Sequence, residues 1–238
     1  DLLESRGLGD VYKRQGHRGA KGYIAENTLE SINMAIELNV DGVEIDVFKC
    51  LSGELVLFHD KNLKKLTGKS GKIENLTIND LQKYLVLGKY KIPTLKDVLE
   101  KIKKPLLVNI ELKGSGAAES TSKIIEDFSK RTLWKKENFI VSSFNWDELK
   151  KFRSINTDIA IGILLDKLGN INEAIQFGKN INAQSIHPNY RMLNEGTVEK
   201  IKKNGFKIYT WTVNNKEDIS FMQKLNVDGV ISDYPDQI

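Results

Sequence analysis

The sequence lacks the features that mark several classes of protein. Its 238 residues include one cysteine, Cys50, so no disulfide can form within the chain and a reducing compartment is favoured. No apolar run approaches the roughly 18 residues of a membrane span, so we expect no stable membrane insertion. No basic block indicates a nucleic-acid partner, since 36 basic residues are balanced by 32 acidic ones. The mild net charge of +4 suits an anionic substrate.

The remaining composition is that of an ordinary globular protein, 40% hydrophobic and 29% charged. A chain of this length can bury a large core, and one α/β barrel fits it as well as two small domains. We expect a cytoplasmic protein, although the chain begins at Asp1 and an upstream signal peptide is compatible with it. The sequence does not predict an oligomeric state.

Residues 43–60 contain the pattern around which the rest of the chain is interpreted. With a strand period of two, Glu44 and Asp46 point to one side, and Val43, Ile45 and Val47 point to the other. Two carboxylates on one face of a strand, backed by an aliphatic face, do not form a core. They are the ligands of a metal site or, in the plainer interpretation, the solvated face of an edge hairpin.

A second apolar strand follows at residues 55–58, after a turn predicted at Ser52-Gly53. If the turn has two residues, Leu51 pairs with Glu54 and Asp46 pairs with His59. The hairpin then returns His59 to the carboxylates of the first strand. A titratable base beside two carboxylates is typical of an active site.

Strands and helices alternate along the rest of the chain. The predicted strands are residues 12–17, 42–47, 106–111, 139–143, 159–165, 183–187, 207–213 and 229–232. Eight such units predict an α/β fold, a (β/α)₈ TIM barrel with its site at the C-terminal strand ends. A lysine-rich excursion at about 61–92 is interpreted as a small insertion after the second strand and its hairpin, with a short helix at about 79–85. The first helix is expected to have Asn27 as its N-cap, with Glu30 three residues later.

Polar residues fall where these strands end: His17, Glu44, Asp46, Glu111, Ser142, His187, Trp211 and Asp233. The strand at 106–113 repeats the alternation, with Asn109, Glu111 and Lys113 on one face. Glu111 can therefore join the two earlier carboxylates in an all-oxygen site that suits Ca²⁺ or Mg²⁺. Lys113 would lie near that cation if both share an anion such as phosphate, or it forms a salt bridge with Glu111.

Residues 1–15 are interpreted as a non-native or irregular segment, and residues 16–238 as a single barrel domain. The first strand should be a nearly continuous aliphatic run, yet Lys13, Arg14 and Gln15 precede His17. For want of another candidate, residues 11–16 must supply this strand, with Lys13 and Gln15 pointing into the barrel. We therefore expect a short first strand, with Arg14 emerging between helices.

Five motifs in order are similar to the signature of the glycerophosphodiester phosphodiesterase family. They are His17-Arg18-Gly19, Glu26-Asn27-Thr28, Glu44-x-Asp46, His59-Asp60 and Glu111-x-Lys113. Further similarity extends through Ile92-Pro93-Thr94-Leu95, Trp211-Thr212-Val213-Asn214 and residues 228–235, so that it covers about residues 16–236. Five ordered motifs are far more specific than one alone.

The resemblance implies hydrolysis of small-molecule glycerophosphodiesters to glycerol 3-phosphate and an alcohol, with Ca²⁺ or Mg²⁺ as cofactor. It assigns roles residue by residue: His17 and His59 as acid and base, Arg18, Lys113 and Trp211 as phosphate or substrate contacts, and Glu44, Asp46 and Glu111 as metal ligands. The nucleophile is water or a glycerol hydroxyl attacking in cis. His187, before Pro188, lines the site or packs the rim, and Trp211 contacts substrate or is a buried aromatic.

Three features depart from the family pattern. Ala25 replaces the usual proline and Ser52 replaces the usual aspartate of the turn, and neither touches the chemistry. The loss of a hydrophobic first strand does, because that strand aims His17 and Arg18. Other interpretations predict different features. A phosphate-handling isomerase barrel usually has glycine-rich loops after its last two strands, and Asn214-Asn215 and Asp233-Tyr234-Pro235 stand there instead. A non-catalytic binding barrel would have lost a histidine or carboxylate, and all are present. A lysophospholipase D would share the chemistry and add an apolar groove at the mouth.

Overall fold

The computed structural model describes residues 13–166 and 169–238. Eleven strands run through these ranges: β1 (Lys13–His17), β2 (Gly42–Lys49), β3 (Leu55–Leu57), β4 (Leu85–Val86), β5 (Tyr90–Lys91), β6 (Leu107–Leu112), β7 (Phe139–Ser143), β8 (Ala160–Leu165), β9 (Ser185–Pro188), β10 (Lys207–Thr210) and β11 (Gly229–Ser232). Eight of them pair in parallel in the order β1-β11-β10-β9-β8-β7-β6-β2, and β1 pairs with β2 to close the ring. The predicted (β/α)₈ barrel is confirmed.

Helices connect the strands and surround the barrel: α1 (Leu29–Glu37), α2 (Lys64–Thr67), α3 (Ile78–Leu81), α4 (Leu95–Lys101), α5 (Ala117–Arg131), α6 (Trp146–Ile155), α7 (Ile171–Asn180), α8 (Glu195–Lys203) and α9 (Lys216–Lys224). Their starts follow ordinary capping rules, since Thr28 Oγ1 accepts the Ser31 N–H and Thr94 forms a capping box with Asp97. The predicted N-cap Asn27 is wrong. Its φ is +56° and its side chain bonds Asp46 instead. None of the helices in the two described ranges is both long and apolar enough to cross a bilayer.

The main core lies between the barrel and its helices, and the insertion has a small core of its own. Aliphatic residues on the outer face of β2, such as Val43 and Ile45, are fully buried with residues from the surrounding helices. A second buried cluster joins the hairpin to the insertion: Phe48, Cys50, Val56, Phe58, Leu63, Ile73, Leu81, Val86 and Ile92. The insertion is therefore anchored on the β2–β3 hairpin, at the rim where β2 ends. The helix predicted at 79–85 ends at Leu81, because the chain then turns into the small β4–β5 hairpin.

The predicted hairpin register is wrong by one residue. Val47 pairs with Leu57 and Phe48 with Val56, and the Cys50 N–H donates to the Glu54 carbonyl. The loop thus has three residues, 51–53, rather than the two-residue turn at Ser52-Gly53. The reason lies outside the hairpin: the Leu51 N–H donates to the Leu76 carbonyl in the insertion, 2.9 Å away, and so does not join the ladder. Gly53 closes the loop at φ +103°.

Strand β1 begins at Lys13, within the segment interpreted as non-native, and residues 11 and 12 of the predicted strand lie outside the described ranges. Arg14 leaves the barrel wall as expected: its guanidinium lies 3.4 Å from the Asp41 carboxylate and donates to the Asn39 carbonyl. Lys13 lines a cavity of about 610 Å³ at the opposite end of the barrel from the polar strand ends. Both cations thus avoid the centre of the barrel, whereas Gln15 does not.

We expect Gln15→Met to stabilise the protein. The Gln15 side chain is fully buried, and neither its Oε1 nor its Nε2 has a hydrogen-bond partner among the described residues. Each unsatisfied buried polar group costs roughly 1–3 kcal/mol, so an apolar side chain of similar length should raise the free energy of unfolding by about that amount. In thermal unfolding, each kcal/mol corresponds to roughly 2–4 °C in a chain of this size.

Gln184→Met is a control at an exposed glutamine with satisfied hydrogen bonds, because the Gln184 side chain accepts the Ile161 N–H and donates to the Asn182 carbonyl. That substitution should destabilise the protein. If Gln15→Met also destabilises it, Gln15 has a partner that suits it, and the interpretation of residues 1–15 as non-native is wrong. Until that measurement, the interpretation stays a prediction.

Candidate active site

A cavity of about 80 Å³ opens at the C-terminal ends of the barrel strands, where the polar residues were predicted to gather. It is lined by His17, Arg18, Glu44, His59, Asn109, Glu111, Ser142, Phe144, Leu164, Trp211, Thr212 and Ile231. The space is well below the roughly 300–1,000 Å³ of typical small-molecule pockets. It suits a compact charged group such as a phosphoryl group, with the rest of a ligand lying outside.

Three carboxylates converge beside this cavity. Asp46 on β2 stands directly opposite Glu111 on β6, and Glu44 precedes Asp46 by one strand period. One oxygen from each lies within 4.8 Å of the others, and all three side chains are buried. Oxygens that share one Ca²⁺, at about 2.3–2.6 Å each, can be separated by no more than about 5 Å. Glu44 Oε1 is buried without a hydrogen-bond donor among the described residues, as a ligand oxygen aimed at a cation would be.

The three carboxyl groups respond differently to being packed together. Burial, and then the negative charges of Asp46 and Glu111, raise the pKa of Glu44 well above its usual range. Burial and the Asp46 charge raise the pKa of Glu111 to about 7. Burial also disfavours the ionised form of Asp46, but the charges of Arg18 and Lys113 outweigh it and lower its pKa. Without a cation the site concentrates negative charge that a divalent ion would neutralise.

The pKa of Glu111 predicts how metal-free protein responds to pH. A carboxyl with a folded pKa of about 7 and an ordinary value near 4.5 binds more protons folded than unfolded between those two values. Stability therefore falls as pH rises through that window, by on the order of 3 kcal/mol for this group. Glu111→Gln removes the titration, so in chelator the variant should gain stability relative to the wild type between pH 5 and pH 8, measured by urea unfolding.

Glu119→Gln serves as the control for that comparison, because Glu119 is exposed on α5 and forms a surface ion pair with Lys123. Its pH dependence should match that of the wild type. A constant difference between Glu111→Gln and the wild type across the window would mean that Glu111 is ionised without penalty in the folded protein.

Each of the two cavity histidines is held by a carboxylate through Nδ1. His17 Nδ1 lies 2.6 Å from Asp233 Oδ1, and its Nε2 lies 3.9 Å from Glu44 Oε2. Asp233 is fixed in turn, since Asn214 donates to its carboxylate and accepts its backbone N–H. His59 Nδ1 lies 2.6 Å from Asp60 Oδ1. With Nδ1 engaged in both rings, Nε2 is the nitrogen available to a ligand.

The pKa of each cavity histidine is lowered from its ordinary value. Burial lowers the pKa of His17, although the hydrogen bond to Asp233 opposes the shift. Burial likewise lowers the pKa of His59, against the attraction of the Asp46 charge. Beside a reacting group, a neutral imidazole can accept a proton and a protonated one can donate it.

The three residues of the Glu26-Asn27-Thr28 motif make different contacts at this site. Glu26 Oε1 accepts from Arg18 Nη1 at 2.6 Å, which holds the guanidinium beside the carboxylates. Asn27 bonds both ends of Asp46, donating to Oδ2 and accepting the backbone N–H. Thr28 begins α1. Arg18 has φ +52° and Asn27 +56°, so strained backbone accompanies the functional side chains.

The Lys113 ammonium lies 2.7 Å from Glu111 Oε1 and 3.7 Å from Asp46 Oδ1, so the salt bridge considered from the sequence is present. Trp211, just after β10, lines the cavity and donates its indole N–H to the His187 carbonyl at 2.8 Å. Phe144 packs edge-to-face on Trp211, with ring centroids 5.3 Å apart. One wall of the cavity is thus aromatic, and its other walls are charged.

The His187 ring lies in the barrel interior and is not among the residues that line the cavity. It is fully buried, its Nε2 contacts Ser185 Oγ at 2.8 Å, and burial lowers its pKa to about 3. Gly162 makes room for it, since a Cβ there would stand 2.3 Å from the ring. His187 therefore packs the barrel and supports Trp211 through its carbonyl.

The structure brings all eight predicted site residues to one end of the barrel. Sequence reasoning assigned Asn27 to a helix cap, and it assigned no role in the site to Asn109, Phe144 or Asn214. Asn109 shares the inward face of β6 with Glu111, so its place in the cavity follows from the strand period. Phe144 and Asn214 are loop residues whose contacts depend on distant strands, and no local pattern marks them.

Known proteins share both the sequence and the fold. The model of the glycerophosphoryl diester phosphodiesterase family matches residues 17–237. The chain belongs to this family. The predictions of family and enzyme class are confirmed, and the match spans every site residue described above.

Individual relatives agree with the family assignment over nearly their whole length. A glycerophosphodiester phosphodiesterase from Caldanaerobacter subterraneus subsp. tengcongensis is 34% identical, covering 93% of this chain and 94% of the relative. A Thermotoga maritima glycerophosphodiester phosphodiesterase structure is 32% identical, with a TM-score of 0.78 over 94% of this chain and 96% of that one. An Oleispira antarctica phosphodiesterase, solved with the product sn-glycerol-3-phosphate, is 26% identical with a TM-score of 0.86, covering 96% and 95%.

Proposed function

We propose that this chain hydrolyses glycerophosphodiesters to glycerol 3-phosphate and an alcohol, with a divalent cation and two histidines. The observation that carries the proposal is the convergence of His17, His59 and three buried carboxylates around one small cavity. Family membership supports the same activity. The product held by the Oleispira relative supports glycerol 3-phosphate as the retained fragment.

Glu44, Asp46 and Glu111 would hold the cation. Carboxylate oxygens favour Ca²⁺ or Mg²⁺, and the described part of the chain offers no histidine–cysteine cluster for zinc at this position. When bound, the cation supplies polarisation of the phosphoryl oxygens and a lower pKa for a coordinated hydroxyl. Asn27 orients Asp46 through two hydrogen bonds, and such supporting contacts commonly tune ligand geometry.

The two histidines act as a proton-transfer pair. One imidazole, in its neutral form, accepts the proton of the nucleophile, whether water or a glycerol hydroxyl. The other enters the reaction as the imidazolium, with its proton taken from solvent, and donates that proton to the departing alcohol oxygen. The first imidazolium then returns its proton to solvent, which restores both rings. The carboxylates of Asp233 and Asp60 hold the two rings and stabilise each imidazolium as it forms. These four residues have the same roles whether the nucleophile is water or the glycerol hydroxyl.

Arg18 and Lys113 would hold the phosphate. Both cations are already paired with carboxylates, Arg18 with Glu26 and Lys113 with Glu111, which fixes their side chains before substrate binds. Preorganised charges of this kind stabilise charge that develops on phosphoryl oxygens. Trp211 and Phe144 form the apolar wall against which the glycerol carbons pack.

A panel of substrates tests the proposal. Purified protein is incubated with glycerophosphocholine, glycerophosphoglycerol and a lysophosphatidylcholine, each with Ca²⁺, Mg²⁺ or chelator, and release of glycerol 3-phosphate or lysophosphatidic acid is measured. We expect glycerol 3-phosphate from the water-soluble diesters, dependent on the added cation. Faster release of lysophosphatidic acid would favour the lysophospholipase D alternative. Binding without turnover of any diester would favour a non-catalytic barrel.

A further inference from the structure

A groove rich in lysine adjoins the catalytic cavity on the side of His59. It is shallow and open to solvent, and it is lined by Phe48, His59, Asp60, Lys61, Asn62, Lys64, Lys65 and Lys113. We call it the lysine groove. His59 lines both spaces, so a ligand whose phosphoryl group occupies the cavity can extend past this ring into the groove. Neither Phe144 nor Trp211 lines it, which separates it from the aromatic wall.

The lysines of this groove are only partly neutralised. Lys61 pairs with Glu74 at 3.1 Å, and Lys65 lies 3.7 Å from Asp60, whose carboxylate also holds His59. Lys64, at the start of α2, has no carboxylate within 4 Å among the described residues, and its side chain is exposed. An unpaired ammonium flanked by two further lysines favours an anionic ligand.

The size of the catalytic cavity indicates which part of a substrate reaches the groove. About 80 Å³ does not accommodate a whole diester, so at least one of its two organic portions extends outside the cavity. If the glycerol carbons pack on the aromatic wall, the second alcohol lies on the His59 side. The lysines would then contact the substituents of this second alcohol.

We propose that the lysine groove binds an anionic group on the alcohol portion of the substrate, so that glycerophosphodiesters with a second phosphate there are preferred over neutral or cationic ones. The inference rests on the proposed function and names its substrate class. It requires Lys64 as the unpaired cation, with Lys61 and Lys65 beside it.

Two substrates that differ by one phosphate provide the test: glycerophosphoglycerol and glycerophosphoglycerol phosphate. We expect wild-type protein to have a KM roughly threefold to tenfold lower for the phosphorylated substrate, the range expected for one or two exposed charge contacts. Lys64→Glu should remove this preference and leave kcat for the neutral substrate unchanged. Because the contacts are exposed, the preference should also shrink in high salt.

Lys69→Glu is the matched control, since Lys69 is exposed in the same insertion and outside the groove, and the change in net charge is identical. It should retain the wild-type preference. Equal losses in both variants would assign the effect to the general surface charge and overturn the subsite. A wild-type protein that shows no preference would also overturn it.

Binding measured by calorimetry in chelator, where hydrolysis is not expected, separates the subsite from the activity. The phosphorylated substrate should bind wild-type protein more tightly than the neutral one, and Lys64→Glu should abolish the difference. If this difference is found but no diester is hydrolysed with any cation, the proposed function fails and the groove stands. If diesters are hydrolysed but the two substrates bind equally, the groove fails and the function stands.

Discussion

Replacing Glu44 by glutamine is expected to lower metal-dependent turnover of glycerophosphodiesters by roughly a thousandfold while the barrel stays folded. The residue supplies one of three oxygens that lie within 4.8 Å of each other, and a neutral amide is a poor ligand for a hard cation. Loss of several kcal/mol of charge stabilisation in the transition state corresponds to about three orders of magnitude. Steady-state kinetics over a Ca²⁺ and a Mg²⁺ titration measures the effect.

The metal-free variant should be at least as stable as the wild type. Burial and two neighbouring carboxylates raise the pKa of Glu44 well above its usual range, so its ionised form is unfavourable in the folded protein. Adding cation should raise the melting temperature of the wild type and not that of Glu44→Gln. Glu148→Gln is the control, because Glu148 is buried on α6, does not line the cavity, and accepts from the Ala118 N–H. Full activity of Glu44→Gln, or of wild type in excess chelator, would refute the metal site.

Much of this site could be predicted because its ligands follow the period of a strand. Glu44 and Asp46 must share a face whatever the tertiary structure, and parallel pairing brings Glu111 opposite Asp46. The alternation of strands and helices gives the barrel, and the barrel gives the end at which the site lies. The strand period and the barrel fold were together sufficient to predict the carboxylate cluster.

The register of the β2–β3 hairpin could not be predicted from local pattern. Its register was set by the Leu51 N–H, which bonds a carbonyl of the insertion rather than its expected partner in the hairpin. His59 still lines the cavity, since it lies beyond the last paired residue, Leu57, and its direction is not set by the pleat. The prediction that His59 lies near the carboxylates was therefore correct, although the strand pairing on which it was based was not.

Contacts between distant residues were not predictable from local pattern. Asp233 holds His17 across 216 residues of sequence, and only the closure of the barrel between β1 and β11 brings them together. Asn27 was assigned to a helix cap because its type and position fit one. The neighbouring Thr28 is the N-cap instead, and the Asn27 side chain donates a hydrogen bond to Asp46.

Gln15 departs from the apolar packing expected of a buried parallel strand, and both polar atoms of its side chain lack a partner among the described residues. A strand buried on both sides should have apolar side chains, and this one has an amide without partners at its centre. The same strand positions His17 and Arg18, so a stability defect there would extend to these two predicted site residues. We propose that residues 1–15 are a non-native or irregular segment, of which residues 13–15 complete the first strand of the barrel.

His17→Asn and His59→Asn should each lower kcat for glycerophosphocholine by roughly 10²–10⁴-fold, the usual contribution of a general acid or base. The two variants should differ when the leaving group needs no proton. If the alcohol departs on the side of the lysine groove, His59 is the residue that protonates it. With the p-nitrophenyl ester of glycerol 3-phosphate, His59→Asn should therefore recover most of its activity, whereas His17→Asn, which lacks the base, should not.

His187→Asn is the control for both variants, because it removes the third histidine of the chain from a position that does not line the cavity. It should lower the melting temperature, since the ring fills the space left by Gly162, and leave kcat near the wild-type value below that temperature. Recovery of His17→Asn instead of His59→Asn on the activated ester would reverse the two roles and move the leaving alcohol to the other side of the cavity. Recovery of neither would mean that the histidines hold the phosphate or the carboxylates rather than transfer protons, since a leaving group as acidic as nitrophenol makes the general acid dispensable and no other role of the ring depends on the alcohol's pKa.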